Sequence, residues 1–185
     1  MITFEVLACA DLDKQSRVDE THWKSLLIRG TFQIDLSSSR VSSGPSWDEP
    51  VELISSHNIA GRGMGLSAMA QFAGHLLAGD DQTGLLFKIA AQQRGVIPWA
   101  VLAKGNGEQV PTSRGFKVEW MTVKDGLLYV GSDGNSEMPA NLWLKTVTIR
   151  GEVRHLDWTE NWQKIDTVLG LSLKREDYKH TARYL

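Results

Sequence analysis

The stretch Met64-Gly65-Leu66-Ser67-Ala68-Met69, leading into Gly74-His75-Leu76-Leu77-Ala78-Gly79, recurs further along the chain. It lies on Phe116-Lys117-Val118-Glu119-Trp120-Met121 and Gly126-Leu127-Leu128-Tyr129-Val130-Gly131 at a constant offset of 52 residues. Met69 falls on Met121, Gly74 on Gly126, Leu76 on Leu128 and Gly79 on Gly131. A period of roughly 40–50 residues carrying about four strands is the spacing of a β-propeller blade. The repeat also puts Ser67 and Glu119 in one slot, on the innermost strand of successive blades, where side chains converge on a central channel. Oxygen donors ringed there suit a hard cation such as Ca²⁺, which takes about six to eight oxygens. From pattern alone the plainer reading is favoured: Ser67 as a strand hydroxyl with a backbone partner, Glu119 as a solvated carboxylate.

Working outward from the repeat, short apolar runs alternate with Gly, Asp, Ser and Asn punctuation. Residues 4–10 form a strand that stops at Asp11-Leu12-Asp13. Residues 26–28 and 31–34 read as two strands around a turn at Arg29-Gly30, and residues 37–47, rich in Ser and Gly, as a loop. The clearest hairpin joins 75–78 to 85–89 through Gly79-Asp80-Asp81-Gln82-Thr83-Gly84. Strands follow at 97–102, 118–123 and 127–130, and a strand at 142–149 closes the series. Trp158, Trp162, Ile165 and Leu169 recur at helical spacing, so one short helix is expected over 158–169, capped by Asp157 and stopped at Gly170. The fold class expected is therefore all-β.

Composition narrows the function. The 185 residues include 42% hydrophobic and 23% charged side chains, enough for a packed core. Twenty Lys and Arg stand against 22 Asp and Glu, a net charge of −2, which leaves no basic excess to hold a nucleic-acid backbone. No stretch approaches the ~20 apolar residues of a membrane span. Cys9 is the single cysteine and makes no internal disulfide. The first seven residues carry Glu5 and no basic run, so they do not read as a signal peptide. The five histidines have no zinc spacing, and no P-loop, nucleophile elbow or dinucleotide fingerprint occurs.

Several stretches together resemble the soluble calcium-activated nucleotidases, the apyrase family. They are Ala10-Asp11-Leu12-Asp13, Gly61-Arg62-Gly63-Met64 with Leu66-Ser67, Asp80-Asp81-Gln82-Thr83-Gly84, Pro98-Trp99, Gly115-Phe116-Lys117-Val118-Glu119-Trp120, Val123-Lys124-Asp125 and Leu128-Tyr129-Val130-Gly131. The likeness runs from about Ala8 to Gly170. It implies a five-bladed β-propeller with Ca²⁺ in its tunnel, hydrolysis of nucleoside di- and triphosphates (UDP, GDP or ADP among them) to monophosphates, and work in the ER or Golgi lumen or outside the cell. It also implies metal positions at Ser67 and Glu119, essential acids at Asp11 and Asp81, and a functional arginine at Arg62.

The chain departs from that pattern at three places. Ala68 stands where the family has an acid beside the cation, Gly65 where it has a Glu, and Thr181 after His180 where a later metal ligand is expected. At roughly 40–50 residues a blade, 185 residues hold about three blades, so one partial propeller domain is expected over residues 1–185. The alternative is then a catalytically inactive, truncated propeller that acts as a binding or interaction module. Unpaired edges of an open propeller also make a homodimer an expectation.

The chemistry needs phosphate oxygens neutralised and water activated. Arg62 can grip phosphate bidentately and Lys117 can add positive charge. Asp11 or Asp81 can orient or deprotonate water, and Asp13 joins the substrate-binding group. Trp120 is the candidate to stack on a base, although Trp99, Trp120 and Trp143 read first as core. Turn chemistry and strand ends are the plainer roles for Asp81, Asp11 and Asp13.

Overall fold

The computed structural model describes residues 2–35, 37, 40–108 and 114–169. Gly170, His180 and Thr181, named above as a helix stop and a departure from the family pattern, lie outside the described residues. Twelve strands and one α-helix are described in that span: β1 (Ile2–Cys9), β2 (Trp23–Asp35), β3 (Arg40–Trp47), β4 (Val51–Ser55), β5 (Leu66–Phe72), β6 (His75–Asp80), β7 (Leu85–Ala90), β8 (Gly95–Val101), β9 (Trp120–Lys124), β10 (Leu127–Gly131), β11 (Trp143–Val147), β12 (Val153–Asp157) and α1 (Thr159–Leu169). The protein is mostly β, as expected.

Two four-stranded antiparallel meanders follow one another, β5 to β8 and β9 to β12. They keep the register of the sequence repeat: Ala68 pairs Gly79 as Trp120 pairs Gly131, and Met69 pairs Ala78 as Met121 pairs Val130. Their turns also agree. Ala73-Gly74 and Asp125-Gly126 both hold positive φ at each position, the left-handed pair that a two-residue hairpin requires. The repeated glycine is the residue that takes this conformation without a Cβ penalty.

The first meander belongs to an eight-stranded sheet ordered β1-β2-β4-β8-β7-β6-β5, with β3 beside β2. This sheet curls until its ends nearly meet, as in a barrel. Asp11 bridges Gly65, and the Cys9 thiol donates to the Leu66 carbonyl at 3.2 Å. The second meander packs over it, with β9 against β5.

Burial explains the apolar runs. On β6 and β7 successive side chains enter different cores: Leu77 and Leu86 join Phe72, Phe116, Val118 and Leu128, while Ala78 and Phe87 join Trp23, Leu53, Met64 and Leu66. A strand buried on both faces needs apolar residues without alternation. By contrast, Ile97 and Val101 of β8 stay exposed.

Four local expectations change. Residues 40–47, read as loop, form β3, an edge strand whose ladder with β2 skips Ser42, Gly44 and Pro45; edges are where Pro is tolerated. Arg29-Gly30 is no turn but the middle of one long β2. Gly30 is needed there because the Trp47 ring and Ser46 carbonyl occupy the space of a Cβ. The series does not close at 142–149, since β12 follows β11. Ala68, expected beside the cation, is packed in the core with Phe72 and Leu77.

Helix α1 forms as read. The Asp157 carboxylate accepts from the Thr159 amide at 3.0 Å and from its hydroxyl at 2.6 Å. Trp158 and Trp162 meet edge to face at 6.2 Å, and the Trp162 ring covers Gly134.

Candidate functional site

The site is assembled where β1 ends, β5 begins and the β6–β7 turn closes. Asp80 organises it. Its carboxylate is fully buried and accepts from the amides of Met64 and Gln82 and the hydroxyl of Thr83, each at 2.9 Å. One bond reaches across to the 61–65 loop and two stay within the turn. Burial pushes its pKa up, against the pull of those bonds.

Asp81 follows and turns toward Gly65. Its amide donates to the Gly65 carbonyl at 2.9 Å, and its Oδ1 accepts from Gln82 Nε2 at 2.7 Å. A Cβ on Gly65 would overlap Asp81 Oδ1 and stand 3.3 Å from Asp11 Oδ1. Two carboxylates, 70 positions apart, therefore converge over a residue without a side chain. A Glu at this backbone position would have to move them. Asp81 is 6% exposed. Its pKa is raised to about 6, first by burial and then by the Asp11 charge, with the Gln82 amide and Lys117 ammonium opposing.

Asp11 is held by its bridge to Gly65. Its Oδ1 accepts from the Asp13 amide at 2.9 Å, and Ser67 Oγ lies 3.5 Å from its Oδ2. Asp13, in the left-handed region at φ 48°, pairs with the Arg62 guanidinium. Arg62 is aimed by a tight loop: Ile59 and Arg62 exchange backbone hydrogen bonds, and Trp23 Nε1 donates to the Gly61 carbonyl at 3.0 Å. Arg62 Nε is buried with no protein partner. A donor so placed can serve an acceptor that the protein itself does not supply.

Lys117 links this group to the second meander. Its ammonium pairs with Glu119 and stands 3.3 Å from Asp133 Oδ2. The Glu119 amide donates to the Gly131 carbonyl at 2.9 Å, which extends the β9–β10 ladder by one residue. Ser67 of β5 and Asp11, just beyond β1, thus stand beside Asp81 of the β6–β7 turn, and the Lys117 charge, felt by Asp81, connects them to Glu119 just ahead of β9. Trp120 stands apart from this group. Its ring covers Gly131 and its Nε1 donates to the Ser132 carbonyl at 3.1 Å. Trp99 packs edge to face on Phe72, as expected of core.

Among the described residues no three His, Cys, Asp or Glu side chains gather as a metal cage. Ser67, Asp11, Asp81 and Glu119 nonetheless offer oxygen donors, the chemistry that Ca²⁺ accepts, with carbonyls and water able to complete its coordination. Ser67 and Glu119 fit such an ion by donor type. Sequence reasoning missed Asp80 as organiser and Asp133 as the second partner of Lys117. Asp80 read only as turn chemistry, and Asp133-Gly134-Asn135 carried no signal beyond punctuation.

No described helix is long and apolar enough to cross a membrane. A sequence model of the Apyrase family matches residues 12–176. A protein named Apyrase from Cimex lectularius is 34% identical, over 92% of this chain and 48% of its own length. Soluble calcium-activated nucleotidase 1 of Mus musculus is 35% identical, over 92% of this chain and 43% of its own. Apyrase apy-1 of Caenorhabditis elegans is 34% identical, over 91% and 48%. The chain thus spans about half the length of the curated relatives it matches. The family model covers most of the chain, including Arg62, Ser67, Asp81, Lys117 and Glu119: this chain belongs to the apyrase family.

Proposed function

We propose that the chain carries the phosphate-cleaving part of a Ca²⁺-dependent nucleotidase, releasing phosphate from nucleoside di- and triphosphates. The observation that carries this reading is the convergence of Asp11 and Asp81 over Gly65, with the Asp81 pKa raised to about 6. A group with a pKa near neutrality is the efficient proton acceptor at physiological pH. Asp81 takes the proton of the attacking water. Asp11, through its charge, keeps Asp81 basic enough to do so. Arg62 holds a phosphate oxygen through its unpartnered Nε while Asp13 fixes an outer nitrogen, and Lys117 adds the second positive charge.

Ser67 and Glu119 are the residues that hold the cation in this reading. The chemistry an ion held there would supply is charge neutralisation of phosphate oxygens and a lowered pKa for water. The names of the mouse and rat relatives carry the words calcium-activated, which supports the choice of ion. The two matched meanders, with β1, β5 and β9 side by side, support their assignment as successive blades around one axis.

The test is phosphate release from UDP, GDP and ADP by the purified chain, with Ca²⁺ and with chelator. Release that requires Ca²⁺ is expected. Release unchanged by chelator refutes the calcium role. Nucleotide-induced thermal stabilisation without any release favours the binding-module reading, which the ion pair of Lys117 on Glu119 would then explain.

A further inference from the structure

Lys117 is shared between two acids that differ in what else holds them. The Glu119 carboxylate has the Lys117 ammonium as its one charged partner among the described residues. Asp133 is anchored: its Oδ1 accepts from Asn141 Nδ2 at 2.8 Å and from the Asn135 amide at 3.2 Å, which leaves Oδ2 facing Lys117 at 3.3 Å. The Lys117 and Glu119 side chains are each 20% exposed and that of Asp133 is 22%. An ammonium that loses its partner at this depth is costly, because water solvates it only in part. The same ammonium on Glu119 repels any cation that the carboxylate would bind.

We propose that Asp133 is a positioning residue that retains the Lys117 ammonium when Glu119 is engaged by a divalent cation. This inference rests on the reading of Glu119 as a cation-holding residue and adds the residue that makes it available. Two opposing effects follow. Lys117 competes with the cation for Glu119, and Asp133 relieves that competition by offering a fixed second seat. Asp133 touches neither cation nor substrate and acts through Lys117 alone. The anchoring by Asn141 makes the seat rigid, so Lys117 stays within reach of the phosphate-binding face once Glu119 is taken.

A double-mutant cycle read by Ca²⁺ titration calorimetry tests this on the full chain, without reference to turnover. Lys117→Met is expected to tighten Ca²⁺ binding at least threefold, since the competitor is gone. Asp133→Asn is expected to weaken it about tenfold when Lys117 is present and less than twofold in the Lys117→Met chain. Asp133→Glu, which restores the charge, is expected to recover most of the loss. Circular dichroism checks that each variant is folded, and Asp133→Ser replaces the Asn variant should that one fail. An equal loss in both backgrounds overturns the inference, because Asp133 would then act by its own charge. Weaker binding in Lys117→Met overturns it as well. A native chain that gives no Ca²⁺ signal overturns the calcium reading beneath it, and this inference with it.

Discussion

Replacing Asp81 by Asn tests the physical basis of the site, because it removes one titration and little else. Asn keeps the side-chain shape and still offers Oδ1 to Gln82 Nε2, 2.7 Å away in the native chain. The native carboxyl has its pKa raised from 3.8 to about 6, first by burial and then by the charges of Asp11 and Asp80, against Gln82 and Lys117. A carboxyl whose folded pKa exceeds its unfolded value adds stability that is complete below pH 3.8. That stability is lost as pH rises through about 6, since the folded chain holds the proton longer. At 1.36 kcal/mol per pH unit, the shift corresponds to ~3 kcal/mol. For a chain of this size that is about 6–12 °C in Tm. Thermal unfolding of native and Asp81→Asn chains, in chelator from pH 4 to pH 7.5, reads the difference directly, and other titrating groups largely cancel. The variant is expected to gain on the native chain by that amount across the window while phosphate release collapses. A native-minus-variant gap that stays constant from pH 4 to pH 7.5 refutes the claim that Asp81 is held ionised at a cost.

Gly65→Ala places a Cβ where Asp81 Oδ1 lies and 3.3 Å from Asp11 Oδ1. Crowding of this kind costs ~1–3 kcal/mol, and displacement of both acids is expected to cut phosphate release at least tenfold, read by unfolding and turnover together. Lys145 is fully buried, with its ammonium bonded to the Gly105 carbonyl and 4.8 Å from the Phe116 ring centre. Burial pulls its pKa from 10.5 to about 8. The folded chain therefore releases that proton first, and stability relative to Lys145→Met is expected to rise by ~3 kcal/mol as pH climbs from 8 to 10.5. Denaturant unfolding at the two ends of that range checks it.

Much of the fold is legible in residue order because its signals are local. Asp125-Gly126 announces its hairpin in residue order, and the repeat, which lays Gly74 on Gly126, keeps the register of both hairpins. Asp157 caps α1 within two residues of its own position. β3 escaped notice because Ser and Gly dominate it and its pairing comes from β2, not from its own pattern. Gly30 looked like a turn because a neighbouring Trp47 ring, which residue order does not place, is the reason for the glycine.

The same divide runs through the site. Ser67 and Glu119 stood out because they share a slot in a repeat, and Asp11, Asp81 and Arg62 because they sit in recognisable motifs. Which of them meet is a matter of folding. Asp11 reaches Asp81 only when β1 lies beside β5, and Asp133 reaches Lys117 only because β9 and β10 are paired. Backbone preferences act over a few residues and are written where they act. Burial and charge act across space, so the raised pKa of Asp81 and the sharing of Lys117 come into being only when distant segments exclude water together.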